Sequence, residues 1–229
     1  TLILPTLNQA LATLTFDMKQ PLVAQEYING QEICTYSICH NGYVNAHTAY
    51  HSNFTAGKTG TILLKHIEHQ VIFDWIKTFV AATEFTGQIA FDFIETADGK
   101  VFAIECNPHS NGTPAVLLAS NPNFTTTFLN PSMPCITPKS KFSTMLLTGM
   151  LIYGLPTSFR NGEFGKWLKA LFSTRDFIFR MDDPLPAMLQ FRSLLHYFNF
   201  ARKHNLSLLD ASMFDIEWNG FASLSRETS

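Results

Sequence analysis

The sequence predicts an α+β fold, an antiparallel sheet with packed helices followed by a mainly helical region. Three observations predict it. Asn41-Gly42 and Asp98-Gly99 each separate two β-like runs, the strongest short-range hairpin signal. Between these hairpins lies a stretch whose apolar residues recur at three- and four-residue intervals. Beyond Asn121 the character changes: Pro122, Pro131, Pro134 and Pro138 punctuate a loop-rich stretch, and helical patterns dominate the rest. The predicted boundary therefore separates residues 1–120 from residues 121–229.

Taken in order, Leu7 to Met18 has helical spacing, and Pro21 marks the break before an apolar, partly alternating run from Leu22 to Ile28, predicted as a strand. Gln31 to Cys39 and Tyr43 to Tyr50 are the strands flanking Asn41-Gly42. From Leu64 to Glu84, the positions Ile67, Val71, Ile72, Trp75, Ile76, Phe79 and Val80 form one wide apolar stripe, the pattern of an amphipathic helix. Gly87 to Glu95 and Lys100 to Asn107 follow as strands around Asp98-Gly99. The most apolar run, Met145 to Leu155, is interrupted by Thr148, Gly149 and Gly154 and is too short to span a bilayer, so it predicts a core helix. Asn161 can cap a helix through Phe172, and Asp183-Pro184 supplies a cap and a first-turn proline for Leu185 to His204.

A chain of 229 residues has room for a sizeable core. Formal net charge is -2, and the basic residues are scattered rather than gathered into a stripe. Nucleic acid and anionic membrane surfaces are therefore not expected partners. Cys34, Cys39, Cys106 and Cys135 form no CxxC pair and sit in apolar or strand-like contexts, which predicts buried thiols in a reducing, cytoplasmic setting and no cysteine-bound zinc.

The second hairpin carries the chemistry. If Asp98-Gly99 is a two-residue type I′ loop, Ala97 pairs with Lys100 and Asp92 falls opposite Glu105. Alternation then puts Ala90, Asp92 and Ile94 on one face with Ala103, Glu105 and Asn107, while Phe91, Phe93, Ile104 and Cys106 fill the other. Directly opposed side chains have Cβ atoms about 5 Å apart, and like charges there are destabilising unless something compensates. Two carboxylates and an amide oxygen are the hard donors that suit Mg²⁺. Spacing alone leaves a second reading open, in which the acids simply point at water. A register slip of one residue would also put the acids on different faces.

The run from Gly87 to Pro108, GQIAFDFIETADGKVFAIECNP, resembles the signature of the ATP-grasp superfamily, which includes carbamoyl-phosphate synthetase and biotin carboxylase. The resemblance implies that Asp92, Glu105 and Asn107 bind the Mg²⁺ that bridges ATP phosphates. A second stretch, Val23 to Glu32, resembles the segment where that family's chain crosses the adenine. It implies that Gln25 approaches the adenine amino group, that backbone groups of Glu26, Tyr27 and Ile28 read the purine edge, and that Glu32 reaches the ribose hydroxyls. The likeness covers roughly residues 22–112. It implies that residues 1–120 are the nucleotide- and metal-binding, C-terminal half of an ATP-grasp fold.

Two departures accompany the resemblance. Many relatives have an arginine two residues beyond the metal-binding Asn; His109 stands there instead. It is either a pH-dependent donor to a transferring phosphoryl group, and so the candidate catalytic residue, or a loop histidine without a catalytic part. The family's Gly-rich loop and phosphate-binding lysines precede the adenine segment, and neither is found here, so a missing N-terminal half of the same protein is an expected partner. The implied chemistry is activation of a small-molecule carboxylate by ATP as an acyl phosphate, followed by attack of an amine. A noncatalytic nucleotide-binding module is the alternative. Ala56-Gly57-Lys58-Thr59 matches only the tail of a P-loop, with Ser52 where that pattern wants glycine. An open sheet edge would invite pairing with a second copy, so a homo-oligomer is also among the expected partners.

Overall fold

A computed structural model of the chain describes residues 8, 9, 12, 24–56, 60–110, 114–119 and 121–214. Strand β1 (Gln31–His40) turns back through Asn41 and Gly42, whose φ angles of 48° and 83° are both positive, into β2 (Tyr43–Ala56). A type I′ hairpin requires that pair of angles, which is why Asn-Gly serves there. β3 (Gly60–Ile67) pairs antiparallel with β2, and helix α1 (Gln70–Thr83) follows. β4 (Gly87–Glu95) and β5 (Val101–Asn107) form the second hairpin. With β6 (Ser143–Met145) and β7 (Arg175–Asp176) they make a seven-stranded sheet in the order β5-β4-β1-β2-β3-β6-β7.

The predicted helix from Leu64 to Glu84 begins six residues late. Residues 64–67 belong to β3, where Ile62, Leu63 and Leu64 are buried in succession. Consecutive burial marks a strand covered on both faces, and a short apolar run of that kind cannot be told from helix by periodicity alone. His69 starts the true helix: its Nδ1 accepts from the Ile72 amide at 3.3 Å, and Glu84 ends it at a φ of 51°. The apolar stripe then buries Ile72, Ile76 and Val80 against Ile33, Ile89, Phe91 and Phe93 on one face of the sheet. Trp75 meets Phe91 and Phe93 edge-on at 5.2 and 5.3 Å between ring centroids.

The opposite face carries Tyr36, Ile38 and Ala46 under Leu118 and Ile136, and Cys34, Tyr50 and Leu64 beside Leu117. Leu117 and Leu118 sit on a single short helix, α2 (Ala115–Leu118). Residues 24–29 have no regular structure where a strand was predicted. β4 ends at Glu95, opposite Gln31, and the β1–β2 pairing already stops at Cys34 and Tyr50, so the residues before Gln31 join neither ladder. Asn8, Gln9 and Ala12 are helical; the rest of the predicted Leu7–Met18 helix, Leu22, Val23 and Gly57–Thr59 lie outside the described residues.

Of the run predicted as a core helix, Met145 instead ends β6 and pairs with Leu63. Helix begins at α3 (Leu147–Gly149), continues through a π-helical turn at Met150–Gly154 and ends in α4 (Leu155–Arg160). α5 (Phe164–Ser173) follows, and its Trp167 indole donates to the Met150 carbonyl at 2.9 Å. α6 occupies Leu185–His204 as predicted, with α7 at Leu208–Met213. Among the described residues, no helix is long and apolar enough to cross a membrane. Only Cys34 and Cys39 are buried; Cys106 on the edge strand β5 and Cys135 are exposed, contrary to the prediction that all four thiols are buried.

Candidate functional site

The loop between β4 and β5 is not the predicted two-residue turn. The Thr96 amide donates to Lys100 at 2.9 Å and the Gly99 amide to Thr96 at 2.8 Å, which leaves three residues, Ala97, Asp98 and Gly99, in the loop. Gly99 takes the left-handed conformation, φ 79°, that such a loop requires. Near the turn the ladder is therefore one residue out of the predicted register: Ile94 opposes Phe102 and Phe93 opposes Ala103.

A register shift between Asp92 and Phe93 then inserts Ile104 as an extra residue and restores the pairing. Asp92 opposes Glu105, Phe91 opposes Cys106, and Ala90 opposes Asn107. The acids thus meet as predicted, although by two compensating departures from a regular hairpin. The faces change near the turn. Ala103 shares the face of Phe93, and Phe102 shares that of Asp92 and Ile94 and is left 40% exposed.

The sheet adds neighbours on the other side of Asp92. Cys34 of β1 is its direct partner, and Tyr50 of β2 is the partner of Cys34. Tyr50, Cys34, Asp92 and Glu105 therefore form one row across four strands. Glu32 lies two residues before Cys34 on β1 and so shares its face. Ligand atoms of Glu32, Cys34 and Asp92 all lie within 4.8 Å of one another. The Cys34 thiol donates to Glu32 Oε1 at 3.6 Å, and the Asn107 amide nitrogen donates to Glu105 Oε1 at 3.1 Å.

Burial pushes the Asp92 carboxyl up, a hydrogen bond from Cys34 pulls it down, and the charges of Glu105 and Glu32 push it further up. The Cys34 thiol is driven above the ordinary thiol range by burial first, then by Asp92 and Glu32. Burial raises the Tyr50 hydroxyl too, with added contributions from Cys34, Asp92 and Glu32. Thiol and phenol therefore keep their protons; the thiol donates to the carboxylates, and the phenol is hydrogen-bonded to the thiol. The oxygen donors here are carboxylates and one amide, beside the protonated Cys34 thiol, and burial first and the neighbouring acids second raise the proton affinity of the central acid. Such a set fits a hard divalent cation better than a soft one.

Asp92, Glu105, Asn107 and Glu32 are thus brought together. Gln25, Glu26 and Tyr27 are exposed and Ile28 is half-buried, on the irregular segment that leads into β1. His109 lies exposed two residues past Asn107, with Nδ1 3.1 Å from the Ser110 carbonyl. Cys34 and Tyr50 were not anticipated. Alternation from Glu32 does place Cys34 on the same face, but only the pairing of β1 with β4 sets it beside Asp92.

No family model matches the chain, and no curated protein matches it. Solved structures do. An L-amino acid ligase from Bacillus licheniformis is 12% identical over 45% of this chain and 29% of its own, with a TM-score of 0.36. N5-carboxyaminoimidazole synthetase from Staphylococcus aureus is 12% identical over 59% of this chain and 40% of its own, with a TM-score of 0.41. The biotin carboxylase of a β-γ-ATP complex from Campylobacter jejuni is 12% identical over 45% of this chain and 26% of its own, with a TM-score of 0.35. The chain spans less than half the length of each.

Proposed function

We propose that this chain binds Mg²⁺ and ATP on the face formed by Glu32, Asp92, Glu105 and Asn107, and that the chemistry served is ligation of a carboxylate to an amine through an acyl phosphate. The reading rests on one observation, the direct opposition of Asp92 and Glu105 across β4 and β5. Two carboxylates at that separation repel, and their closeness is tolerable when a divalent ion neutralises them. When bound, that ion would offset charge on the β- and γ-phosphates of ATP.

Asp92 and Glu105 would supply carboxylate oxygens and Asn107 its amide oxygen. Glu32 is the second residue of β1, between the exposed segment 25–28 and Cys34. In this reading the adenine lies along Gln25, Glu26, Tyr27 and Ile28, and Glu32 accepts from the ribose diol. The phosphates then extend toward Asp92 and Glu105. His109 would donate to the transferring phosphoryl group or to the acyl phosphate from the loop beyond Asn107. The protein's own share is positioning and electrostatics rather than covalent catalysis.

Titration of the chain with Mn²⁺ in the presence of ATP, read by the free-ion electron paramagnetic resonance signal, tests this. Asp92→Asn and Glu105→Gln should each weaken binding by at least about tenfold, the loss expected for one charge-assisted ligand. Wild-type affinity in both variants would sink the proposal. Metal-nucleotide binding without carboxylate-dependent phosphate release would assign the chain to noncatalytic nucleotide binding instead.

A further inference from the structure

Helix α6 covers little of its apolar surface. Of its 20 residues only Ala201 is buried, and the Thr148 hydroxyl donates to the Gln190 side chain at 2.7 Å, which holds that side of the helix to the fold. Met188, Phe191, Leu195 and Phe198 instead stand between 51% and 66% exposed. Their spacing of three, four and three residues sets them in one row along the helix. A groove of about 390 Å³ opens beside the row, lined by Phe191, Leu194, Leu195 and Phe198 of α6 together with Ile152 and Leu208. An apolar row at this spacing, bordering an apolar groove, is the surface a helix presents to a second helix.

The charges at the two ends of α6 are opposite. Asp182 and Asp183 precede its first turn, and Arg202, Lys203 and His204 close its last. Each sign suits the helix dipole at its own end. Asp182 is taken up by Arg180 at 2.6 Å, whereas Asp183 and Lys203 form no ion pair among the described residues.

A second copy of the chain laid antiparallel along this face matches both patterns at once. With Phe191 set against Leu195, Met188 meets Phe198 and Asp183 meets Lys203. The apolar row then faces its own image, and an acid lies beside a base at each end. A parallel pairing would set acids against acids and bases against bases. Row and charges are thus both palindromic about the midpoint between Phe191 and Leu195. A two-fold interface requires that self-complementarity of a surface, and a partner of unrelated sequence does not.

We propose that α6 is the interface of a two-fold homodimer, in which Met188, Phe191, Leu195 and Phe198 of the two copies pack antiparallel and Asp183 pairs with Lys203 of the partner subunit at both ends. The interface shares no residue with the acid cluster around Asp92, so it stands or falls independently of metal and nucleotide binding.

Sedimentation equilibrium of the full chain at micromolar to submillimolar concentrations should show a monomer–dimer equilibrium. Leu195→Asp, a change at an exposed position, should raise the dissociation constant by at least about tenfold with the circular dichroism spectrum unchanged. Asp183→Lys and Lys203→Asp should each weaken the dimer by about tenfold, and the double variant should recover most of that loss, because exchanging both charges preserves every pair. A purely local effect of either substitution would not be reversed by the other. The proposal is overturned by a chain that stays monomeric at submillimolar concentration, which would leave the row to a partner of another sequence. It is equally overturned by a dimer that Leu195→Asp leaves intact, as one formed through the β5 sheet edge would be, or by charge variants whose losses add in the double variant.

Discussion

Cys34 stands directly opposite Asp92, so the central acid of the candidate site has a protonated thiol on one side and the Glu105 carboxylate on the other. The thiol can only relieve part of the crowding. Burial and two neighbouring acids outweigh its hydrogen bond, and the net effect on Asp92 is upward.

That balance sets a pH dependence. A carboxyl whose affinity for its proton rises on folding contributes stability at acid pH and loses it as pH climbs from the ordinary Asp range through the raised value. Without divalent ions, the melting temperature of Asp92→Asn should therefore gain on that of the wild type as pH rises from about 3 to about 7. Thermal melts of the two proteins side by side measure the difference, and a difference that stays flat would contradict the electrostatic account. Mg²⁺ should stabilise the wild type more than the variant at the upper end of the range.

Thiol reactivity should separate the four cysteines. Cys39 is pushed up to about 12 by burial and by Cys135, and Cys34 is raised by burial and its two acids. At pH 8 a thiol with that affinity is ionised in only about one molecule in ten thousand, and the thiolate is the reactive form. Exposed Cys106 should be alkylated first under native conditions, with Cys34 and Cys39 modified only on unfolding. Mass spectrometry of time-resolved maleimide labelling reads the order, and early labelling of Cys34 would refute it.

Two glycines should respond differently to alanine. At Gly99 an added Cβ meets nothing within 4 Å, so only the positive φ resists it, for a loss of about 1 kcal/mol. At Gly30 an added Cβ would collide with the Glu95 carbonyl and lie 2.6 Å from Ile94 Cγ2. Gly30→Ala should cost about 1–3 kcal/mol through overpacking and weaken Mn²⁺-ATP binding, because Glu32 follows on the displaced strand. Urea melts and the metal titration together test this. Equal losses for both variants, with binding intact, would be inconsistent with it.

Phe91 anchors α1 to the sheet. It is 1% exposed and packs edge-on against Trp75 and Phe79 at 5.2 and 5.0 Å between centroids. Phe91→Ala should cost about 3–5 kcal/mol in a denaturant melt, the range for an aromatic residue removed from a packed core. A loss below about 1 kcal/mol would mean that this contact is not tightly packed.

Several elements could be read directly from the sequence because their causes are local. Asn41-Gly42 supplies the two positive φ angles of its hairpin, and the stripe from Val71 to Val80 and the Pro184-led helix each follow from residues within a few positions of one another. The opposition of Asp92 and Glu105 was also legible, though the loop and the extra residue at Ile104 that produce it were not. Tertiary structure alone decided that residues 64–67 are strand, that β1 lies between β2 and β4, and hence that Glu32, Cys34 and Tyr50 gather around Asp92. The physical reason is one of range. Turn chemistry and helical periodicity act between neighbours along the chain, whereas strand order and ladder register are set by which surfaces bury one another across the fold.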